Sequence, residues 1–214
     1  DAVEVGIPFS DPMMDGPIIQ EASSRALEAG ATPDGIIAAL AGLDVGAPVA
    51  VMTYYNLVYR GGHRRTARSL KSAGVSGAIV PDLPLDEIGD WAAAADDAGV
   101  ETVLLAAPTT PDDRLPAICA RSRGFVYGVG LMGVTGERQA LAASATTMGK
   151  RLRAVTDKPV LIGVGVSTPR QAVEACREAD GVVVGSVLMR RMLESGAESV
   201  GELVGEFRAA LDRG

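Results

Sequence analysis

The stretch DAVEVGIPFSDPMMDGPIIQEASSRALEAG, residues 1–30, contains one strand–loop–helix unit and sets the pattern for the whole chain. The run Ala2–Ile7 is short and apolar apart from Glu4, which predicts a strand buried in a parallel sheet. A loop rich in proline, glycine and aspartate follows this strand. Pro17–Ala29 then has the composition of a helix, with proline in its first turn and Gly30 where a helix C-terminus is expected.

The same alternation of short apolar runs and alanine-rich helical stretches continues along the chain. The other six predicted strands are Pro48–Thr53, Gly77–Val80, Thr102–Ala106, Phe125–Val129, Val160–Val164 and Gly181–Val184. The other predicted helices are Pro33–Leu43, Arg64–Ala73, Leu85–Ala98, Asp112–Ser122, Gln139–Val155, Pro169–Glu178, Met189–Glu194 and Val200–Leu211. Since no Ser/Gly-rich linker or charge run interrupts this order, we predict one α/β domain over residues 1–214.

Seven predicted strands leave two architectures open. A doubly wound parallel sheet accommodates the alternation, but a (β/α)8 TIM barrel that lacks its first strand and helix fits it better. Such barrels have about 250 residues, so one missing unit accounts for the difference from the 214 residues of this chain. We therefore predict an α/β TIM-barrel fold whose first strand and helix are missing here.

Composition narrows the class of protein. The chain is 47% hydrophobic and 22% charged, which is typical of a folded protein with a sizeable core. A net charge of −7 argues against a nucleic-acid partner, although backbone N–H groups could still bind an anionic substrate. The apolar runs are too short to cross a membrane, and Cys119 and Cys176 lack the spacing of a metal or disulfide site. We expect a soluble, cytoplasmic protein.

Two acidic residues of the first unit are candidates for chemistry. Alternation along the strand places Glu4 on the face opposite its valine neighbours, inside a barrel, where burial would raise its pKa and suit it to proton transfer. A Glu paired to a buried Lys or Arg is the alternative. Asp15, in the loop GIPFSDPMMDGP, could meet a substrate group, or it could cap the helix that begins with Pro17.

The last two predicted strands end in glycine-rich turns that lead directly into helices. The first turn contains Gly163 and Gly165, and the second contains Gly185 and Ser186. Glycine allows a ligand to approach the backbone closely, and the loops after the last two strands of TIM barrels often bind phosphate. Two ordinary tight turns are the alternative interpretation.

Other kinds of catalysis have little support. His63 lies in the polar segment RGGHRR, which predicts a surface loop, and without it no Ser–His or Cys–His pair is available. No cluster of His, Cys and carboxylates has the spacing of a metal site, so no metal is predicted. Acid–base chemistry by carboxylates on a phosphorylated substrate remains.

A resemblance to a known family supports this hypothesis. Residues 4–20, EVGIPFSDPMMDGPIIQ, resemble the signature of the tryptophan synthase alpha subunit. Further matches occur in family order along nearly the whole chain: MTYYN at 52–56, VPDLP at 80–84, MGVTG at 132–136, GVGVSTP at 163–169 and VVVGSVL at 182–188. The first match is long and specific, whereas the glycine motifs alone would be weak.

The resemblance implies a (β/α)8 barrel that cleaves indole-3-glycerol phosphate to indole and glyceraldehyde 3-phosphate in tryptophan biosynthesis. By position in the motif, Glu4 matches the general acid–base carboxylate that protonates the indole ring at carbon 3. Asp15 matches the carboxylate that stabilises the positive charge developing at the ring N–H. The resemblance also implies a partner beta subunit in an alpha2beta2 heterotetramer, which carries pyridoxal phosphate, so this chain needs no cofactor of its own.

The resemblance assigns further residues by position. Substrate contacts are implied for Tyr54, Tyr127, Thr135, Gly136, Gly163, Gly165, Gly185 and Ser186, and Thr135 matches a lid threonine that contacts the second carboxylate. The resemblance also places Asp11, Pro12 and Asn56 in loops that face the beta subunit. The chain departs from many family members at Gly130-Leu131, before the lid motif, and at Val164, between the two phosphate-loop glycines.

Two alternatives share part of this chemistry. A stand-alone indole-3-glycerol phosphate lyase would use the same carboxylates without a beta subunit. A weakly catalytic barrel would mainly bind and activate its partner, which only the altered lid motif favours.

Overall fold

The computed structural model describes residues 1–130, 138–163 and 165–214, and these form two compact units. The first unit comprises residues 1–104 and 122–124, and the second comprises residues 105–121 and 125–214. Thr135, Gly136 and Val164 lie outside the described residues. The prediction of one domain over residues 1–214 stays a prediction.

The first unit contains four parallel strands that pair in chain order. The strands are β1 (Val3–Gly6), β2 (Val49–Met52), β3 (Gly77–Ile79) and β4 (Glu101–Ala106), the last of which continues beyond the unit. The helices are α1 (Pro17–Glu28), α2 (Pro33–Leu40), α3 (Tyr55–Gly61), α4 (His63–Ser72) and α5 (Gly89–Ala98). The core is built by fully buried side chains of strands and helices, including Val51, Val58, Leu70, Ile79 and Trp91. Burying each large apolar side chain stabilises the fold by about 1.5–3 kcal/mol.

The second unit contains three further parallel strands, which also pair in chain order. They are β5 (Val126–Val129), β6 (Val160–Gly163) and β7 (Gly181–Val182). The helices are α6 (Leu115–Arg121), α7 (Arg138–Arg153), α8 (Pro169–Ala175) and α9 (Ser186–Leu211). Val166, Ala172, Leu203 and Phe207 form a buried cluster where α8 packs against α9. Short apolar strands and parallel pairing are what the sequence pattern predicted.

Several predicted helix ends are confirmed by backbone geometry. Thr32 and Thr168 are N-cap residues of α2 and α8, and each side chain accepts a backbone N–H three residues later. Gly30, Gly74 and Gly99 follow helices with φ of 85°, 79° and 71°, the left-handed conformation that glycine adopts at little cost.

Some local predictions were wrong. Helix α3 was not predicted, and Asn56 therefore lies in the first turn of a helix rather than in a loop. His63 begins α4 instead of lying in a surface loop, and its ring stacks on Tyr55, whose hydroxyl is 3.1 Å from Nε2. The two helices predicted near the C-terminus are the halves of α9, which is kinked at Gly196 because that residue has a φ of 79°.

Candidate active site

The parallel pairing of β1 with β2 brings the loops that follow these strands together. Gly6 pairs with Met52 at the ends of the strands, and the Ile7 N–H donates to the Met52 carbonyl at 2.9 Å. The loop containing Asp15 follows β1, and Tyr54 lies two residues beyond β2. The fold therefore places a candidate carboxylate and a candidate substrate-binding tyrosine side by side, although they are 39 residues apart in sequence.

Tyr54 contacts the β1–α1 loop in three ways. Its hydroxyl donates to the Asp15 Oδ2 at 2.9 Å and accepts the Met14 backbone N–H at 3.1 Å. Its ring stacks on Phe9, with 5.0 Å between ring centroids. Burial and the neighbouring Asp15 carboxylate raise the pKa of Tyr54 to about 12. The hydroxyl consequently keeps its proton, and can donate it to Asp15, across the pH range in which proteins are usually active.

The Asp15 carboxylate does not serve as the cap of α1. Gly16 is the N-cap of that helix, and no side chain caps it. Asp15 is half-buried, and its side chain accepts the Tyr54 hydroxyl instead. Burial raises the pKa of Asp15, and the hydrogen bond from Tyr54 opposes that rise because it stabilises the carboxylate. The group is therefore held in a fixed orientation beside its donor.

Glu4 lies on β1, where it pairs with Ala50 of β2. Burial of its carboxyl group raises its pKa from the ordinary value of 4.5 to about 7, and the charge of Asp15 adds to the rise. The residue as a whole is nevertheless exposed. These observations are compatible, because water can reach a carboxyl whose protein surroundings still displace most of its solvation. A Lys or Arg partner would lower the pKa of Glu4. The raised pKa therefore argues against the alternative in which Glu4 is paired to a buried Lys or Arg.

Gly163, the last residue of β6, must be a glycine because of the packing around it. A Cβ placed on Gly163 would lie 2.0 Å from the Tyr127 hydroxyl oxygen, closer than any real contact. The buried Tyr127 side chain therefore lies directly over Gly163 and occupies the space that a Cβ would need. The Gly163 carbonyl accepts the Gly130 N–H at 2.7 Å, which joins the ends of β5 and β6. Gly163 and Tyr127, which were assigned separately from the sequence as substrate contacts, are thus in direct contact with each other.

The helices that follow β6 and β7 begin in different ways. At the start of α8, the Gln171 Oε1 accepts the backbone N–H groups of Ser167 and Thr168, at 2.9 and 3.1 Å, and completes a capping box. At the start of α9, Gly185 is the N-cap and makes no side-chain hydrogen bond to the helix, and Ser186 is the first helical residue. Since free N–H groups at a helix start attract anions, α9 is the better anion site of the two.

The loop after β6 keeps one further glycine-specific feature. Gly165 has a φ of 90°, which an L-residue with a side chain rarely adopts. Parallel pairing of Ile162 with Val182 places this loop beside the loop that contains Gly185 and Ser186. The four residues assigned to phosphate therefore lie in adjacent loops of the second unit.

The remaining assigned residues are distributed differently. Asp11 is exposed and accepts the Ser10 hydroxyl at 2.6 Å, and Pro12 is half-buried. Asn56 is exposed on the first turn of α3. Thr135 and Gly136 fall outside the described residues, so their assignments stay predictions.

Sequence reasoning missed the part played by Asp82. The Asp82 Oδ1 accepts the Tyr55 N–H at 2.8 Å and thereby supplies an acceptor at the start of α3, where no side chain of the helix itself does so. The signal that could have identified it is its place in the motif VPDLP, directly after β3, since β3 pairs with β2. Asp82 thus helps to fix the backbone next to Tyr54.

Within residues 1–130, 138–163 and 165–214, no group of three or more His, Cys, Asp or Glu side chains comes together as a metal site. No helix in that described part of the chain is both long and apolar enough to span a membrane.

The sequence matches a known family over almost its whole length. The profile of the family described as tryptophan synthase alpha chain matches residues 1–210. The tryptophan synthase alpha chain of Thermobifida fusca is 44% identical, with 100% of this chain and 81% of the relative covered. That of Synechococcus elongatus is 41% identical, with the same coverage of both chains.

Solved structures give the same result. A tryptophan synthase structure from Mycobacterium tuberculosis matches with a TM-score of 0.91 and 41% identity, covering 99% of this chain and 81% of that one. The tryptophan synthase A-subunit of Pyrococcus furiosus matches with a TM-score of 0.88 and 38% identity, covering 99% and 86%. These neighbours are TIM barrels, so the predicted (β/α)8 fold class is confirmed.

Fold and site together define a carbon–carbon lyase of the TIM-barrel class, with one carboxylate on β1, another after it, and glycine-rich turns after β6 and β7. The chain belongs to the tryptophan synthase alpha chain family. Alpha chains cleave indole-3-glycerol phosphate and pair with the beta subunit in the tryptophan synthase complex. The comparisons therefore do not favour a stand-alone lyase or a weakly catalytic activator.

Proposed function

We propose that Glu4 and Asp15 divide the cleavage of indole-3-glycerol phosphate between them. The carbon–carbon bond can break only after the indole ring becomes an indolenine, which requires a proton at ring carbon 3. Glu4 donates that proton, and the ionised Asp15 stabilises the positive charge that then develops at the ring N–H. The Glu4 carboxylate next takes the proton of the side-chain hydroxyl. The electrons of the broken bond return to the ring, which releases indole and glyceraldehyde 3-phosphate.

One observation carries this division of labour. Glu4 has a pKa of about 7, so near neutral pH it exists in comparable amounts as acid and as base. Burial raises the pKa of Asp15 as well, but the hydrogen bond that it accepts from Tyr54 opposes this rise and favours its ionised form. Two neighbouring carboxyl groups whose surroundings separate their protonation behaviour are suited to different roles in one reaction.

The substrate's phosphate group is assigned to the glycine loops of the second unit. We propose that it binds at Gly163, Gly165, Gly185 and Ser186, chiefly through backbone N–H groups at the start of α9. The absence of a side-chain cap on Gly185 supports this assignment. Tyr54, Tyr127, Thr135 and Gly136 are proposed as further substrate contacts.

The proposed beta-subunit contacts are Asp11, Pro12 and Asn56. Support comes from the adjoining Met13, which is 89% exposed, and Met14, which is 45% exposed, because two neighbouring apolar side chains in water favour a surface that a partner covers. We further propose an alpha2beta2 assembly and a cytoplasmic location, as expected for a biosynthetic complex. In this assembly pyridoxal phosphate belongs to the beta subunit, and the alpha chain works without a cofactor.

Conservative substitutions test the catalytic pair. Glu4→Gln and Asp15→Asn should each lower kcat for indole release in the complex with the beta subunit by about 10²–10⁴-fold, the usual size of acid–base contributions. Binding of a substrate analogue that lacks the side-chain hydroxyl should be retained. Glu21→Gln is the matched control, since Glu21 is an exposed residue of α1 paired with Arg25, and its activity should stay at the wild-type level. Substantial turnover by Glu4→Gln would show that another group is the acid.

A further inference from the structure

Tyr54 is used in more ways than a substrate contact requires. The hydroxyl both donates to Asp15 and accepts from the Met14 backbone, so its donor and one acceptor site are already occupied. The side chain is only 8% exposed, and the Phe9 ring covers one face of it. Phe9, Met14 and Asp15 all belong to the loop between β1 and α1. Tyr54 therefore holds both ends of that loop against the end of β2.

The backbone around Tyr54 is itself held in place by hydrogen bonds. Tyr54 is the N-cap residue of α3, and the next residue, Tyr55, donates its N–H to Asp82 at 2.8 Å. Thr53 is buried and donates its N–H to the Ile79 carbonyl at 3.0 Å. The backbone on both sides of Tyr54 is thus attached to β3 and to the loop after it. Because this backbone is fixed, the Tyr54 side chain can impose its position on a neighbouring side chain such as Asp15.

The Asp15 carboxylate has few other constraints among the contacts described for it. Its backbone carbonyl accepts the Gln20 side chain at 2.9 Å, and its backbone N–H donates to the Pro12 carbonyl at 3.0 Å. Both of these contacts fix the backbone and leave the side-chain torsions free. Among residues 1–130, 138–163 and 165–214, the hydrogen bond from Tyr54 is the contact that selects one orientation of the carboxylate.

We propose that Tyr54 is a positioning residue that acts through Asp15: its hydroxyl fixes the carboxylate in the orientation that faces the ring N–H. This inference rests on the proposed catalytic role of Asp15. Among the residues that the structure describes, the charged and titratable groups that act on the pair are Glu4 on β1 and Asp82 after β3, both of which are acidic. In such surroundings a neutral hydroxyl donor stabilises the Asp15 carboxylate without cancelling its charge, as a Lys or Arg would.

The substitution Tyr54→Phe isolates the hydroxyl. Phenylalanine keeps the ring that stacks on Phe9, so the loop should stay folded. In the complex with the beta subunit, kcat for indole release should fall about tenfold, the size expected for one hydrogen bond to a charged group, with KM changed less than about twofold. The acidic limb of the pH profile of kcat should move to higher pH, because Asp15 loses the donor that favours its ionised form.

A double-substitution cycle shows whether Tyr54 acts through Asp15. If it does, adding Tyr54→Phe to Asp15→Asn should change the residual single-turnover rate less than about twofold, whereas independent effects would multiply. Tyr59→Phe is the matched control, because Tyr59 lies on α3, the helix that directly follows Tyr54, is 65% exposed and should give the wild-type rate. Tyr54→Leu, which also removes the stacked ring, should lower both kcat and thermal stability.

The outcomes separate this inference from the proposed function. An inactive Asp15→Asn with a fully active Tyr54→Phe would overturn the positioning role and leave the catalytic role of Asp15 intact. A change in KM alone, or rate losses that multiply in the double variant, would limit Tyr54 to the role of a substrate contact that acts independently of Asp15, and would also overturn the positioning role. Full activity of Asp15→Asn would refute the catalytic assignment and this inference with it.

Discussion

The loop after β1 and the loops after β6 and β7 provide their functional groups in different ways. In the first region, the candidate groups are side chains: Glu4 on β1 and Asp15 after it are carboxyl groups, and the Tyr54 hydroxyl donates a hydrogen bond to Asp15. In the second region, the candidate groups are backbone N–H groups, made accessible by residues such as Gly185 that have no side chain. The first region is suited to proton transfer, which should appear in kcat, and the second to anion binding, which should appear in KM.

The largest effect that tests this contrast is expected from pH. If Glu4 must start as the acid, kcat should fall about tenfold for each pH unit above its pKa of about 7, because the protonated fraction falls by that factor. Steady-state rates from pH 6 to pH 9 with saturating substrate would measure this fall. A flat profile up to pH 9 would exclude Glu4 as the acid in the first step.

The stability of the protein provides a control that needs no substrate. Between pH 4.5 and about 7, folded Glu4 keeps a proton that the unfolded chain has released. The contribution of Glu4 to the free energy of unfolding should therefore be greatest below pH 4.5 and should be lost as the pH rises through 7. Denaturant titrations of Glu4→Gln should lack this loss, and an identical pH dependence in the two proteins would contradict the raised pKa.

The second largest effect is expected at the start of α9. Gly185→Asp would place a carboxylate at the N-cap, where it would accept the free N–H groups of the helix and repel a phosphate. We expect KM to rise about tenfold or more with kcat changed much less, while the helix gains only about 0.3 kcal/mol of stability. Calorimetry and steady-state kinetics would measure the two effects.

Gly185→Ala provides the matched control for this change. A Cβ at Gly185 would have no heavy atom within 4 Å, so alanine fits the space without adding charge. Its KM should stay within about threefold of the wild type, since the backbone N–H groups remain free. Equal KM values for the aspartate and alanine variants would place the phosphate somewhere else.

The contrast between the regions also explains what the sequence could predict. The seven strands were predicted because each is a short apolar run, and Glu4 stood out as the one charge within them. Gly163 and Gly165 were recognisable by position, but the packing of Gly163 against Tyr127 was not, because it joins residues 36 positions apart (163 − 127). Local pattern therefore predicted elements and candidate residues but not their partners.

Contacts over long sequence separations account for most of what was missed. Helix α3 has seven residues and no side-chain cap of its own, and an acceptor at its start comes from Asp82, 27 residues away. The helix predicted to begin at Asp112 begins only at Leu115, as α6, and the Thr110 hydroxyl before it accepts the Ala107 N–H. The Tyr54–Asp15 hydrogen bond likewise depends on the pairing of β1 with β2.

A smaller effect, on stability, is expected from Gly163→Ala. The added Cβ would meet the Tyr127 ring at 2.0–2.5 Å, and since that ring is buried it cannot move aside freely. Overpacking of this kind costs about 1–3 kcal/mol. Denaturant titration should show the loss, whereas Gly205→Ala, at an open position in α9, should be neutral or stabilising. An unchanged free energy of unfolding for Gly163→Ala would mean that Tyr127 does not lie over Gly163.

The smallest effect is expected at the start of α8. It tests most directly whether the N–H groups there take part in binding the phosphate. Gln171→Ala would remove the acceptor of the Ser167 and Thr168 N–H groups and should lower the free energy of unfolding by about 1 kcal/mol. Since these groups are already occupied in the native protein, KM should change less than about twofold. Urea titration and substrate kinetics would test both expectations. If Gln171→Ala instead changed KM as strongly as Gly185→Asp, the start of α8 would belong to the phosphate site, because the substitution frees the Ser167 and Thr168 N–H groups and the Ser167 hydroxyl, all of which donate to Gln171.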